Sequence, residues 1–169
     1  MSGEGKISVH VRYGDFEASF SGSLEGVWLS LNSFFGEFLP SFGVARRLVL
    51  SVDLQNLAKD CEGVVGFSVE GANVLVGKDR LTDVECLLLW LLAGYLGFGL
   101  GLLKSDVVGK EDLQARLGKS GKIVSTRLGE LVKSGWVLKA DGEGYRISTF
   151  GVIQVQKEVL PKIKAKVSG

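Results

Sequence analysis

At 169 residues the chain has room for one domain or two small ones, and its 46% hydrophobic and 23% charged residues are ordinary for a globular protein. Its two cysteines, Cys61 and Cys86, lie in apolar-flanked segments without CxxC spacing, which excludes a disulfide or zinc scaffold and reads as buried thiols in a reducing compartment. The net charge of +1 conceals a split: residues 1–103 hold 7 Lys/Arg against 12 Asp/Glu, a charge of −5, whereas residues 104–169 hold 13 against 7, a charge of +6.

From the N-terminus, Met1 to Gly5 reads as a frayed tail with no basic, cleavable apolar leader, so a cytoplasmic protein is expected. Ile7, Val9, Val11 and Tyr13 alternate with polar residues, and after Gly14-Asp15 the alternation resumes through Phe16, Ala18 and Phe20. That pattern predicts a two-stranded hairpin with one apolar face, with His10, the single histidine, on the solvated side. Ser23 is placed to cap a helix whose apolar residues, Leu24, Val27, Trp28, Leu31, Phe34, Phe35 and Phe38, fall at helical spacing as far as Pro40. An isolated hairpin is marginal in water, so this helix should cover it.

Beyond a break at Pro40 to Gly43, two readings are open: one helix over Val44 to Cys61, or a short apolar run followed by a helix capped by Asp53. Val64 to Val69 and Asn73 to Val76 predict a second hairpin across Glu70-Gly71-Ala72. The expected N-terminal domain is therefore a small α+β unit over residues 1–79, built from two hairpins and their helices.

Thr82 and Asp83 offer a cap to the next segment, which contains 18 residues without a charge, Cys86 to Leu103. Its length touches the lower limit for a membrane span, and Ala93, Gly97 and Gly101 are small residues spaced four apart. Gly94, Gly97, Gly99 and Gly101 would weaken a helix, however, and the flanks lack topology-setting basic residues. A buried helix ending near Gly97 to Gly101 is the expectation, with no membrane association. Its surplus apolar surface should pack on the N-terminal domain or on a second subunit.

The stretch from Gly109 to Thr149 is the part of the chain whose arrangement implies a job. Lys110 to Leu117 has one apolar edge, Leu113 and Leu117, and Gly118 stops it. After a polar turn, with Ser120 as cap, Lys122 to Ser134 repeats Val124, Leu128 and Leu131 on one stripe. The opposite face carries Lys122, Thr126, Gly129 and Lys133, with Ser125 and Arg127 on its flanks. Gly135 then ends the helix, and Trp136 to Ala140 and Tyr145 to Ser148 form two strand-like runs about an Asp141-Gly142-Glu143-Gly144 turn.

Helix, turn, helix and hairpin in that order, with Leu117 to Val137 as the most specific part, resembles the winged helix-turn-helix superfamily, in particular MarR-like and ArsR-like prokaryotic regulators. The resemblance implies a winged helix-turn-helix domain over residues 80–169, its third helix laid in the major groove of double-stranded DNA. It matches Ser120, Lys122, Ser125 and Thr126 to groove-facing positions and sets Lys139 and Arg146 on the wing strands; the expected DNA contacts are then Lys122, Ser125, Thr126 and Lys133 on the groove and Lys119, Ser120, Lys139 and Arg146 on phosphates. Asp141 and Glu143 depart from the pattern, because a phosphate-contacting wing tip is usually basic. A terminal helix over Phe150 to Lys166, kinked at Pro161, implies by analogy a contact in a homodimer.

Motifs of other chemistry fail. Gly118-Lys119-Ser120-Gly121-Lys122 lacks the upstream glycine of a phosphate-binding loop, since position 113 is Leu113. No nucleophile–base pair or Cys/His ligand spacing is present, so neither an enzyme, a metal nor another cofactor is expected. The charge split, with a basic half and an acidic half, suits DNA binding at one end and sensing, dimerisation or recruitment of a protein partner at the other. The alternative is a winged helix used as a protein–protein module in a larger assembly.

Overall fold

The computed structural model describes residues 5–38 and 48–169. It is an α+β chain with small antiparallel sheets, and it divides into two compact units, Met1–Leu50 and Ser51–Gly169.

In the first unit, β1 (Ile7–Tyr13) and β2 (Phe16–Gly22) pair antiparallel across the two-residue turn Gly14-Asp15, with Val9 opposite Phe20 and Val11 opposite Ala18. Helix α1 (Leu24–Phe38) begins where the Gly26 amide donates to Ser23 Oγ at 3.2 Å, the expected cap. Its Phe34 ring meets Phe20 edge-on at 5.6 Å and Phe16 at 6.2 Å, so the helix covers the hairpin through Phe34, whereas Leu24 and Trp28, expected on the same apolar face, are exposed. His10 is exposed, within 2.8 Å of Ser19 Oγ. The expected break at Pro40 to Gly43 and the helix start at Val44 lie outside the described residues.

The second unit begins with α2 (Leu54–Asp60), whose Asp53 side chain accepts from the Gln55 and Asn56 amides, in line with the reading in which Asp53 is a cap. Strands β3 (Val65–Ser68) and β4 (Gly71–Val74) follow. The turn of this hairpin is Val69-Glu70, with Gly71 inside the strand at φ 126°, so the second strand starts two residues earlier than its hydrophobic pattern indicates. A side-chain network fixes this register: Ser68 Oγ donates to Glu70 at 2.6 Å, and Asn73 donates to Ser68 Oγ at 3.1 Å.

The core is built on α3 (Asp83–Gly99). Thr82 and Glu85 form a reciprocal capping box at its start, and Leu87, Leu88, Leu89, Leu91 and Leu92 are all buried, which leaves no solvated face along its middle. A helix apolar on every side needs cover on every side. The β3–β4 hairpin and α2 supply part of that cover, so they belong with Ser51–Gly169, and the boundary between compact units falls after Leu50 instead of after residue 79. Gly94 sits against Asp106 and Val108, and Gly97 against Phe67 and Leu103, so these small residues admit the unit's own chain. The helix ends at Gly99 and the chain turns at Gly101, φ 72°; among the described residues no helix is long and apolar enough to cross a membrane.

Next come β5 (Val108–Gly109), α4 (Lys110–Leu117), α5 (Gly121–Lys133), β6 (Val137–Ala140) and β7 (Gly144–Ile147). The three strands form one antiparallel sheet in the order β5-β7-β6, its first member a two-residue strand that carries no period-2 signal of its own. Leu113, Leu117, Val124, Leu128 and Leu131 turn inward from α4 and α5 to join α3. Gly118, at φ 70°, makes the left-handed stop between the two helices.

The terminal helix is less regular than its apolar spacing suggests. Helix α6 (Thr149–Gln154) passes through a π turn (Val155–Val159) into α7 (Leu160–Ser168). Pro161 has no amide hydrogen to give the carbonyl one turn back, and the wider turn just before it accommodates that loss. Drawn at the observed boundary, the charge asymmetry shrinks: residues 51–169 hold 16 Lys/Arg against 14 Asp/Glu, a net +2, and residues 1–50 hold 4 against 5, a net −1. Any electrostatic argument about a partner therefore rests on local patches.

Candidate nucleic-acid interface

Helix α5 separates its two faces sharply. Val124 and Leu128 are fully buried and Leu131 nearly so, whereas Lys122, Ser125, Thr126, Gly129 and Lys133 are exposed. From Lys122 to Lys133 this face runs about 16 Å at 1.5 Å per residue. Lys119 and Ser120, also exposed, stand at its head. Six of the eight residues singled out from the sequence are thus brought together on one continuous surface.

Their hydrogen bonds set what each can offer. Ser120 is the N-cap, its Oγ accepting from the Ile123 amide at 3.4 Å, so its hydroxyl hydrogen is left to give to an outside acceptor. Thr126 Oγ1 donates to Lys122 O at 2.9 Å; its proton is committed, and it presents a methyl group and lone pairs. Arg127, on the flank, is tied to Glu130 at 3.2 Å. Beside these groups Ile123 is 40% exposed, and with Lys122, Thr126 and Arg127 it lines a shallow depression.

The remaining two residues sit differently. Across β6 and β7, Leu138 pairs with Arg146 and Lys139 with Tyr145, so Lys139 and Arg146 project from opposite faces of the hairpin. Arg146 lies 4.0 Å from Asp106, while Lys139 lines a cleft with Lys110, Glu143 and Tyr145. The hairpin turn is acidic and exposed, with Gly142 at φ 67° and Glu143 at φ 58°, and Glu143 O accepts from the Lys110 amide at 3.2 Å, joining the turn to the start of α4.

The same unit carries two further side-chain contacts. Arg116 stacks over Trp90 at 3.8 Å from the ring centre, and Ser148 caps α6 while its hydroxyl donates to Gly135 O at 2.6 Å. Burial pushes the Cys61 thiol up to about 11 and raises that of Cys86 as well, so both are inert thiols within the core. Among the described residues no group of three or more His, Cys, Asp or Glu could hold a metal ion.

Lys78 is a residue that sequence reasoning passed over. It lies in a 3₁₀ turn (Lys78–Arg80) forty residues before Gly118, and the chain returns it to that glycine; no periodicity or motif marks it. Comparison with protein-family models, with curated proteins and with solved structures gives no match for this chain.

Proposed function

We propose that the chain binds double-stranded DNA as a transcription regulator or chromatin-associated protein, and that Ser51–Gly169 contains a winged helix-turn-helix. The order α3, β5, α4, α5, β6, β7 and the sheet order β5-β7-β6 support the fold reading. The observation that carries the function is the exposed face of α5, on which lysines and small hydroxyl side chains stand opposite a fully buried stripe.

A face about 16 Å long on a helix roughly 10–12 Å across fits the major groove, which is about 12 Å wide. Lys122 and Lys133 meet phosphates or guanine edges, Ser125 gives or accepts a hydrogen bond, and Thr126 offers its methyl to thymine. Lys119 and Ser120 hold the backbone at the head of the helix. Two copies in a dimer would set their α5 helices about 34 Å apart, in successive major grooves.

The test is Lys122→Glu combined with Lys133→Glu. Both side chains are exposed, so cooperative unfolding should stay at the wild-type midpoint while affinity for a labelled duplex is lost. Unchanged affinity sinks the reading.

A second reading, a protein-interaction module, is favoured by one specific feature: the acidic Asp141 and Glu143 at the hairpin turn, with Arg146 beside Asp106. It predicts DNA affinity no better than the roughly 10⁻⁴ to 10⁻⁶ M of non-specific binders, together with a tight protein partner.

A further inference from the structure

We infer that Lys78 is a further phosphate-contacting residue of the proposed DNA interface, clamping the backbone across the turn between α4 and α5; this rests on the DNA-binding reading. The Lys78 ammonium lies 3.7 Å from the point where a Cβ on Gly118 would sit, and Gly118 directly precedes Lys119 and Ser120. Lys78, from the turn before α3, is thereby added to Lys119 and Lys122 at the head of the exposed face.

Four cations of this unit are engaged elsewhere. Arg80 donates to Lys166 O at 3.2 Å, Lys166 is paired with Glu85 at 2.9 Å, Arg127 with Glu130, and Arg116 lies on Trp90. Asp79, the acid next in sequence to Lys78, folds back over Gly77. Among the described residues no ion pair is formed by Lys78, Lys119 or Lys122. With no carboxylate paired to any of the three, each ammonium is open to a phosphate of a backbone passing the turn.

The backbone of Lys78 is also fixed. Its carbonyl accepts from the Leu81 amide at 3.2 Å, the Arg80 amide donates to Gly77 O at 3.0 Å, and the Arg80 guanidinium ties the turn to the last turns of α7. A lysine on so constrained a turn loses only side-chain freedom on binding.

The experiment is fluorescence anisotropy of a labelled random duplex over a salt series, with the full chain, Lys78→Ala and Lys78→Arg. Each phosphate contact contributes about 0.9 to the slope of log affinity against log salt. Lys78→Ala should make the slope shallower by about 0.9, so that its deficit relative to wild type shrinks three- to fourfold between 50 and 200 mM salt, as 0.9 per contact implies. Lys78→Arg should restore the wild-type slope, and all three proteins should unfold at the same midpoint. A wild-type slope in Lys78→Ala, or weakened binding that Lys78→Arg does not restore, overturns the inference and leaves the DNA-binding reading standing. Absence of salt-dependent binding by the wild type overturns both.

Discussion

Gly129 stands in the middle of the α5 face, on the same side as Lys122, Thr126 and Lys133, and an added Cβ there would meet nothing within 4 Å. It is the ninth residue of a 13-residue helix, so its backbone is held by helical bonds on both sides. Glycine in such an interior is about 1 kcal/mol less favourable than alanine. With open space around the position, Gly129→Ala should therefore stabilise the protein by about that amount, raising the unfolding midpoint by roughly 3–5 °C for a unit of this size. The DNA reading sends the same substitution in the opposite direction for binding. A methyl group at the centre of a face laid against a groove holds the helix away from it, and a loss of about 1 kcal/mol weakens affinity roughly fivefold. Thermal unfolding by circular dichroism and duplex anisotropy on one preparation read both numbers. A midpoint that falls or stays unchanged refutes the open helical environment of Gly129; a raised midpoint with wild-type affinity refutes close apposition of the middle of α5 to DNA.

Three more outcomes are expected. Gly151→Ala should destabilise by about 3 kcal/mol, at the upper end for overpacking, because its Cβ would run into the Trp136 carbonyl that also accepts from Ser148; the urea midpoint reads this, and a shift below 1 kcal/mol would contradict it. Burial raises the Glu85 carboxyl, but the Thr82 amide and hydroxyl and the Lys166 ammonium outweigh it and hold the group below the usual carboxylate range. A depressed value in the folded state means stability that is present above the unfolded value of about 4.3 and is lost as pH falls through the folded one. Glu85→Gln should accordingly cost on the order of 1 kcal/mol at pH 7, and its urea midpoint should converge with that of the wild type as pH drops below about 4. Cys61 and Cys86 should resist a thiol-labelling reagent at pH 8 until urea unfolds the unit; rapid native labelling would contradict their burial.

Much of the local architecture could be read in advance because it is written at short range. Ser23, Asp53, Thr82 and Ser120 each cap the helix that their position announces, and the inward stripe of α5 follows from Val124, Leu128 and Leu131. What could not be read depends on contacts distant in sequence. Strand β5 is two residues long and exists only because β7 pairs with it. The boundary after Leu50 depends on which elements cover a helix that is apolar all round, and the sequence carries the apolarity without naming the cover. The candidate site divides in the same way: the α5 face was legible from helical spacing, whereas Lys78 reaches Gly118 only through the fold. Lys139 and Arg146 both look like wing cations in the sequence, and only the pairing register puts them on opposite faces.

The two units differ in how much surface their structure leaves available. In Ser51–Gly169 the buried residues form one continuous cluster from Leu57 to Ile163 that closes around α3, so the outward face of α5 carries no packing duty and its lysines and hydroxyls cost the core nothing. In the first unit Val27 is the one buried apolar side chain among the described residues, while Leu24, Trp28 and Leu29 are each more than 60% exposed. Among its described residues, a two-stranded hairpin under one helix with so little burial gives recognition side chains less support than α5 has. In Ser51–Gly169 the exposed polar face lies on a helix anchored by fully buried leucines, and that is the physical reason to test α5 for the proposed DNA contact before any other surface.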